Sequence, residues 1–163
     1  MGERGKQLRT GICAVLFSGV MAVPVWAGCT PDEVKLRGSW GQARFTVELA
    51  DDASERAQGL MHRESLPRSA GMLFAYETPS EVSFWMRNTL IPLDLLFVDE
   101  TGQVNHIHSE AQPLDETLIP SNGKALAVLE INGGLAAQYG ITVGSEMQHQ
   151  VFDQAGAVWP CER

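Results

Sequence analysis

From Arg44 to Leu49 the chain alternates polar and apolar residues, Arg-Phe-Thr-Val-Glu-Leu, the period of a strand with one buried face. Asp51 and Asp52 interrupt that alternation. Asp52 followed three residues later by Glu55 has the form of a capping box, which predicts a short helix from Ala53 to about Met61. Beyond a loop bounded by Pro67 and Gly71 come two brief strand-like runs, Met72 to Tyr76 and Val82 to Met86, separated by Thr78-Pro79-Ser80. Ile91 to Val98 is apolar apart from Pro92 and Asp94 and reads as a central strand. Asp99 to Gly102 is a turn, and Gln103 to His108 returns as its hairpin partner. Ser109 to Lys124 holds Pro113, Pro120 and Asn122-Gly123 and reads as a long loop, a length often kept for function. Ala125 to Ile131 is a further buried strand, Leu135 to Tyr139 a short helix that Gly140 can end, and Met147 to Phe152 a last strand after Gly144.

Many short strands and two small helices predict an α+β fold. We expect a compact single domain, mainly antiparallel, built on a curled sheet or small barrel. No internal repeat or second domain interrupts it.

The first residues change the picture of where that domain works. Arg4, Lys6 and Arg9 precede an uncharged run from Gly11 to Val23, and Val25-Trp26-Ala27 presents a cleavage pattern. Residues 1–27 therefore read as a secretory signal and 28–163 as the globular part, with Gly28 leading. The apolar run is too short for the ~20 residues that span a bilayer, and no later stretch reaches that length. The expected location is periplasmic or secreted. The whole chain carries a net charge of −8, and losing the basic signal makes the remainder more acidic still. Such a balance repels phosphate backbones, so nucleic acid is not an expected partner.

Cys13 lies inside the signal, which leaves Cys29 and Cys161 near opposite ends of the exported part. An even count in an oxidising compartment reads as a disulfide. Trp26-Ala27-Gly28-Cys29 also forms a partial lipoprotein signal, but lipidation would strand Cys161 as an odd thiol.

Several blocks then occur in a characteristic order: Arg56-Ala57-Gln58-Gly59-Leu60-Met61, Gly71-Met72-Leu73-Phe74, Phe84 to Asp94 (FWMRNTLIPLD), Leu129 to Gly134 (LEINGG), then Gly140-Ile141 and Gly144. Over about residues 45–152 the chain resembles the bacterial and archaeal domain-of-unknown-function family 192. The resemblance implies a compact β-rich fold and frequent export, and it implies no reaction. Arg87 stands where that family more often carries Lys, exchanging a point charge for a planar fork.

The residues themselves must therefore suggest the chemistry. Trp85 followed by Arg87, Asn88 and Thr89 sets a cation, an amide and a hydroxyl at a strand end beside a large aromatic, as a polar-ligand pocket requires. We read Trp85 as a wall, Arg87 as a charge anchor, and Asn88 and Thr89 as orienting groups; all three polar residues could instead serve the turn or pair locally. Asp94 and Glu130 are carboxylates within apolar strand runs, costly unless paired. They could act as the two carboxyls of a hydrolase, or pair with Arg56, Arg63 or Arg87. His106, His108 and Glu110 alternate and could share a strand face as metal ligands. Met61, Met72 and Met86 read as packing rather than copper ligands. No Gly-x-Ser-x-Gly elbow and no phosphate-cradling glycine loop is present.

The leading expectation is a non-catalytic exported monomer that binds a small polar, anionic ligand or a partner peptide. No cofactor is expected. Arg56, Asp94 and Glu130 would support the site. A hydrolase using Asp94 and Glu130, and a metal-handling protein using His106, His108 and Glu110, are the alternatives.

Overall fold

The computed structural model describes residues 1–2, 28–152 and 156–161. The expected signal thus falls almost wholly outside the described residues. The strands are β1 (Glu33–Gly38), β2 (Gly41–Ala50), β3 (Ala70–Phe84), β4 (Leu93–Val98), β5 (Val104–Ala111), β6 (Ile119–Asn132) and β7 (Glu146–Gln148). Two short helices, α1 (Ala53–Gln58) and α2 (Leu135–Tyr139), and a 3₁₀ turn at Gln150–Phe152 complete them. All seven strands form one sheet in the order β5-β4-β6-β3-β2-β1-β7.

The sheet curls until its edges meet. Val104 N–H donates to the Ser145 carbonyl at 2.8 Å, Gly144 N–H to Val104 at 2.8 Å, and Met147 N–H to Gly102 at 2.7 Å. Neighbouring strands are antiparallel except β2 and β3, which run parallel from Thr46↔Ala70 to Ala50↔Phe74. A parallel pair needs a crossover, and α1 with the segment up to Ser69 supplies it.

Several sequence expectations need their bounds redrawn. β1 was not foreseen, although Val34 and Leu36 alternate with charged neighbours. Met72–Tyr76 and Val82–Met86 belong largely to one strand, β3, whose pairing with β6 shifts between Ala75 and Ser80 where Thr78-Pro79-Ser80 intervenes. The anticipated loop from Ser109 to Lys124 is mostly strand, because β5 reaches Ala111 and β6 starts at Ile119. Asn122-Gly123 lies at a second register shift inside β6. There the Ser121 hydroxyl accepts from Val82 N–H at 3.1 Å and donates to the Gly123 carbonyl at 2.6 Å. The last strand is only three residues long before the 3₁₀ turn.

α1 begins as its sequence dictates. Asp52 accepts from Ser54 N–H at 2.7 Å and Glu55 N–H at 2.8 Å, and the Glu55 carboxylate reaches back to Asp52 N–H. It ends three residues earlier than predicted, at Gly59 with φ of 51°. A Cβ there would sit 3.2 Å from the Phe74 ring, so the residue must be glycine for the chain to cross that ring closely.

Period-two alternation sorts the core onto the two faces of the sheet. Val34, Val104, Leu129, Ile131 and Met147 come from strands at both ends of the sheet order and pack together, which puts them inside the curl. Met72, Phe74, Leu95 and Phe97 face the other way, where Leu60, Met86, Ile91 and Ile119 cover them. The terminal segments are joined: Cys29 and Cys161 form a disulfide with Cα atoms 5.5 Å apart. Among the described residues no helix is long and apolar enough to cross a membrane.

Candidate functional site

Glu130 stands in the middle of β6, directly opposite Met72 of β3 and Leu95 of β4. Both partners belong to the outer apolar layer, so the register inserts a carboxyl group into that layer. It is 5% exposed and makes no hydrogen bond or ion pair among the described residues. The one fully enclosed side-chain polar atom lacking a partner among them is Asn105 Oδ1. The Glu130 oxygens therefore keep access to open space, and that space is a cleft of about 180 Å³. Burial pushes the Glu130 carboxyl up to about 8, so it holds its proton at neutral pH and can donate as well as accept.

Three further pieces of chain join β6 in building the cleft. β3 contributes Phe74, Tyr76 and Phe84, the end of α1 contributes Arg56 and the Leu60–Met61 segment, and the turn after β3 contributes Trp85 and Thr89. Backbone bonds lock the last two pieces together: His62 N–H donates to the Asn88 carbonyl at 2.8 Å, and Thr89 N–H closes the turn onto Met86 at 3.0 Å. Phe84 meets Phe74 edge-on with centroids 5.0 Å apart, which fixes the apolar wall.

Arg56 is held by its own backbone contacts. Its guanidinium donates to the Asp51 carbonyl at 2.5 Å and the Ala75 carbonyl at 2.8 Å, and it lies 5.1 Å from the Tyr76 ring centroid. Burial holds the Tyr76 phenol above its ordinary range; Arg56 opposes that shift and Glu130 adds to it.

The residues anticipated from sequence separate into two groups. Trp85 and Thr89 line the cleft. Trp85 is 42% exposed, whereas Thr89 is buried and donates its hydroxyl to the Arg87 carbonyl at 3.3 Å. Arg87 and Asn88 do not line it. Arg87 places its guanidinium 5.4 Å from the Trp85 centroid and forms no ion pair among the described residues. Asn88 adopts φ of 54° to make the turn and donates to the Met61 sulfur at 3.8 Å. Tyr76, Phe74 and Phe84 were not singled out beforehand, because only the fold brings them beside the Arg56 block.

Three groupings considered from sequence are not brought together by the fold. Asp94 and Glu130 cannot flank one bond as a hydrolase pair. Asp94 pairs with Ile131 and shares its inward face, one register step from Glu130. There it accepts from the backbone N–H groups of Glu110 at 2.8 Å, Gly134 at 2.9 Å and Ala136 at 2.7 Å. Asp94 therefore ties β4 to β5 and to the start of α2, on the face away from the cleft. Nor do Arg56, Arg63 or Arg87 neutralise either carboxylate; Arg63 instead pairs with Glu48. His106, His108 and Glu110 do not converge on one point either. His106 stacks on Phe97 at 5.5 Å and contacts Asn122 at 3.0 Å. Glu110 takes φ of 51° at the register shift between β4 and β5 and leaves the alternation. No group of three such ligands converges among the described residues.

The DUF192 family profile, described as "Uncharacterized ACR", matches residues 34–149. Among solved structures, a protein of unknown function from Novosphingobium aromaticivorans DSM 12444 is 47% identical, with a TM-score of 0.70 over 71% of this chain and 82% of that one. A Sinorhizobium meliloti 1021 protein, provisionally described as a transcription regulator, is 36% identical, with a TM-score of 0.72 over 77% of this chain and 98% of that one. A comparison with the curated proteins returned no match. The segments that build the cleft all lie within the matched region, and the chain belongs to the DUF192 family.

Proposed function

We propose that this chain is an exported, non-catalytic binding domain whose cleft over β3 and β6 takes a small anionic ligand. The observation that carries the reading is Glu130, a carboxyl group buried in an apolar layer without a partner yet open to a cleft. A buried polar group left unsatisfied costs ~1–3 kcal/mol, and such costs concentrate where a ligand supplies the missing partner. Sign of charge supports an anion. Arg56 and Arg87 lie against Tyr76 and Trp85, two rings that line the cleft, and neither guanidinium is ion-paired among the described residues. A cationic ligand would meet two like charges on ring faces already occupied.

Export is supported by the charged start, short apolar run and cleavage pattern of residues 1–27, together with the Cys29–Cys161 disulfide. The regulator description belongs to the Sinorhizobium protein; an acidic chain does not attract a phosphate backbone, so we do not carry it over.

Native mass spectrometry of chain recovered from the periplasm or medium tests the reading. The expected result is a small bound acid, released on denaturation and missing from the Arg56→Ala/Trp85→Ala double variant. A bare chain in both proteins, or an adduct indifferent to both changes, contradicts it.

A further inference from the structure

We infer that the ligand is a small organic monocarboxylate, seated with its carboxylate against the Glu130 carboxyl group and its carbon body against Phe74, Phe84 and Trp85. The inference rests on the cleft being the ligand site and narrows the class of anion it admits.

Three features separate a carboxylate from other anions. The floor offers one carboxyl donor rather than a nest of backbone amides, and Arg56 already spends donors on the Asp51 and Ala75 carbonyls. A phosphate or sulfate, with several strong acceptor oxygens, would be left largely unsatisfied there. The remaining walls are mostly rings and aliphatic chains, which favour a carbon body. The volume of about 180 Å³ suits a small molecule.

Contact between the two groups is a hydrogen bond in which the Glu130 hydroxyl donates to the ligand carboxylate. It requires Glu130 to hold its proton. The charged and titratable groups that share the cleft with it are Arg56 at the end of α1 and Tyr76 on β3, while Arg87 lies outside the cleft against Trp85. β4 presents only Leu95 at that register. Tyr76 is held above the ordinary phenol range. Between pH 6.5 and pH 9 the group in this set that titrates is therefore Glu130, at about 8.

Isothermal titration of the full exported chain with phenylacetate, phenylacetamide and phenethylammonium tests the inference. Phenylacetate should bind best at pH 6.5 and about tenfold more weakly at pH 9, as the protonated fraction of Glu130 falls. Glu130→Gln keeps a donor without a titrating proton, so it should still bind phenylacetate with that pH dependence abolished. Glu130→Ala should lose binding while remaining folded by circular dichroism. Preference for the amide or the ammonium probe, lost in Glu130→Ala, overturns the carboxylate class and leaves the cleft as the site. Binding of no probe, or binding unchanged in Glu130→Ala, overturns the cleft reading as well.

Discussion

Asp94 and Glu130 lie on neighbouring strands one register step apart, and that step sends their carboxyl groups to opposite faces of the sheet. On the inner face Asp94 gathers three backbone N–H groups, two of them at the start of α2. On the outer face Glu130 gathers none. Two carboxylates that look alike in sequence, each set in an apolar strand, thus have different work: one holds the fold and the other opens onto a cleft.

Asp94→Ala should therefore act on stability. It leaves three amide donors without their acceptor, at least one of them in a buried bond, and we expect a loss of about 3 kcal/mol or more. Denaturant titration measures it, and a loss below 1 kcal/mol would contradict the structural role.

Glu130→Gln should have the opposite effect, growing with pH. The folded-state value of about 8 lies above the ordinary 4.5, so between those values the folded chain binds the proton and the unfolded chain does not. Glu130 therefore lowers wild-type stability progressively as pH rises from about 4.5 toward 8. The gain from Glu130→Gln should widen across that window to several kcal/mol, and chemical denaturation at pH 5 and pH 9 reads it directly. A gain of the same size at both values would argue against a buried, protonated carboxyl.

His149 sets a separate acid limit. Its ring is buried, with Nδ1 accepting from Val151 N–H at 3.2 Å and Nε2 at 3.0 Å from the Pro31 carbonyl, an arrangement that suits the neutral ring. Burial lowers its proton affinity below the ordinary 6.5, against smaller opposing effects of Pro31 and Asp32. The unfolded chain then binds the proton first, so stability is full above 6.5 and falls as pH drops below it. In a Glu130→Gln background, adding His149→Gln should flatten the decline in melting temperature between pH 6.5 and 5. An unchanged decline would assign it elsewhere.

Cys29 and Cys161 close a loop spanning 132 positions in sequence. In the chain-entropy view such a closure is worth about 4–5 kcal/mol. Reduction, or the Cys29→Ala/Cys161→Ala pair, should lower the denaturation midpoint by a corresponding amount, while alkylation of the unreduced fold should label neither cysteine.

Much of this architecture was legible in the chain, for local reasons. The capping box at Asp52 and Glu55, the strand at Arg44 to Leu49 and the helix at Leu135 to Tyr139 depend on neighbours within a few residues, and all three form where expected. Errors fell where distant strands decide. Thr78-Pro79-Ser80 and Asn122-Gly123 look like loop punctuation, yet β3 and β6 absorb both as register shifts because their pairing continues on either side. The cleft shows the same division. Trp85 and Thr89 could be picked from one segment, but Tyr76 and the unpartnered state of Glu130 emerge only when β3, β6 and the end of α1 come together. Arg87 lies beside Trp85, as their shared segment allows, but outside the lining of the cleft.

The most direct test of the central claim is the titration of Glu130 itself, followed through its side-chain carboxyl carbon by NMR with and without saturating phenylacetate. The account predicts a midpoint near 8 in the free protein, moving higher with the carboxylate bound, because the ligand favours the protonated form. A free-protein midpoint near the ordinary 4.5, or one that phenylacetate leaves in place, would contradict it.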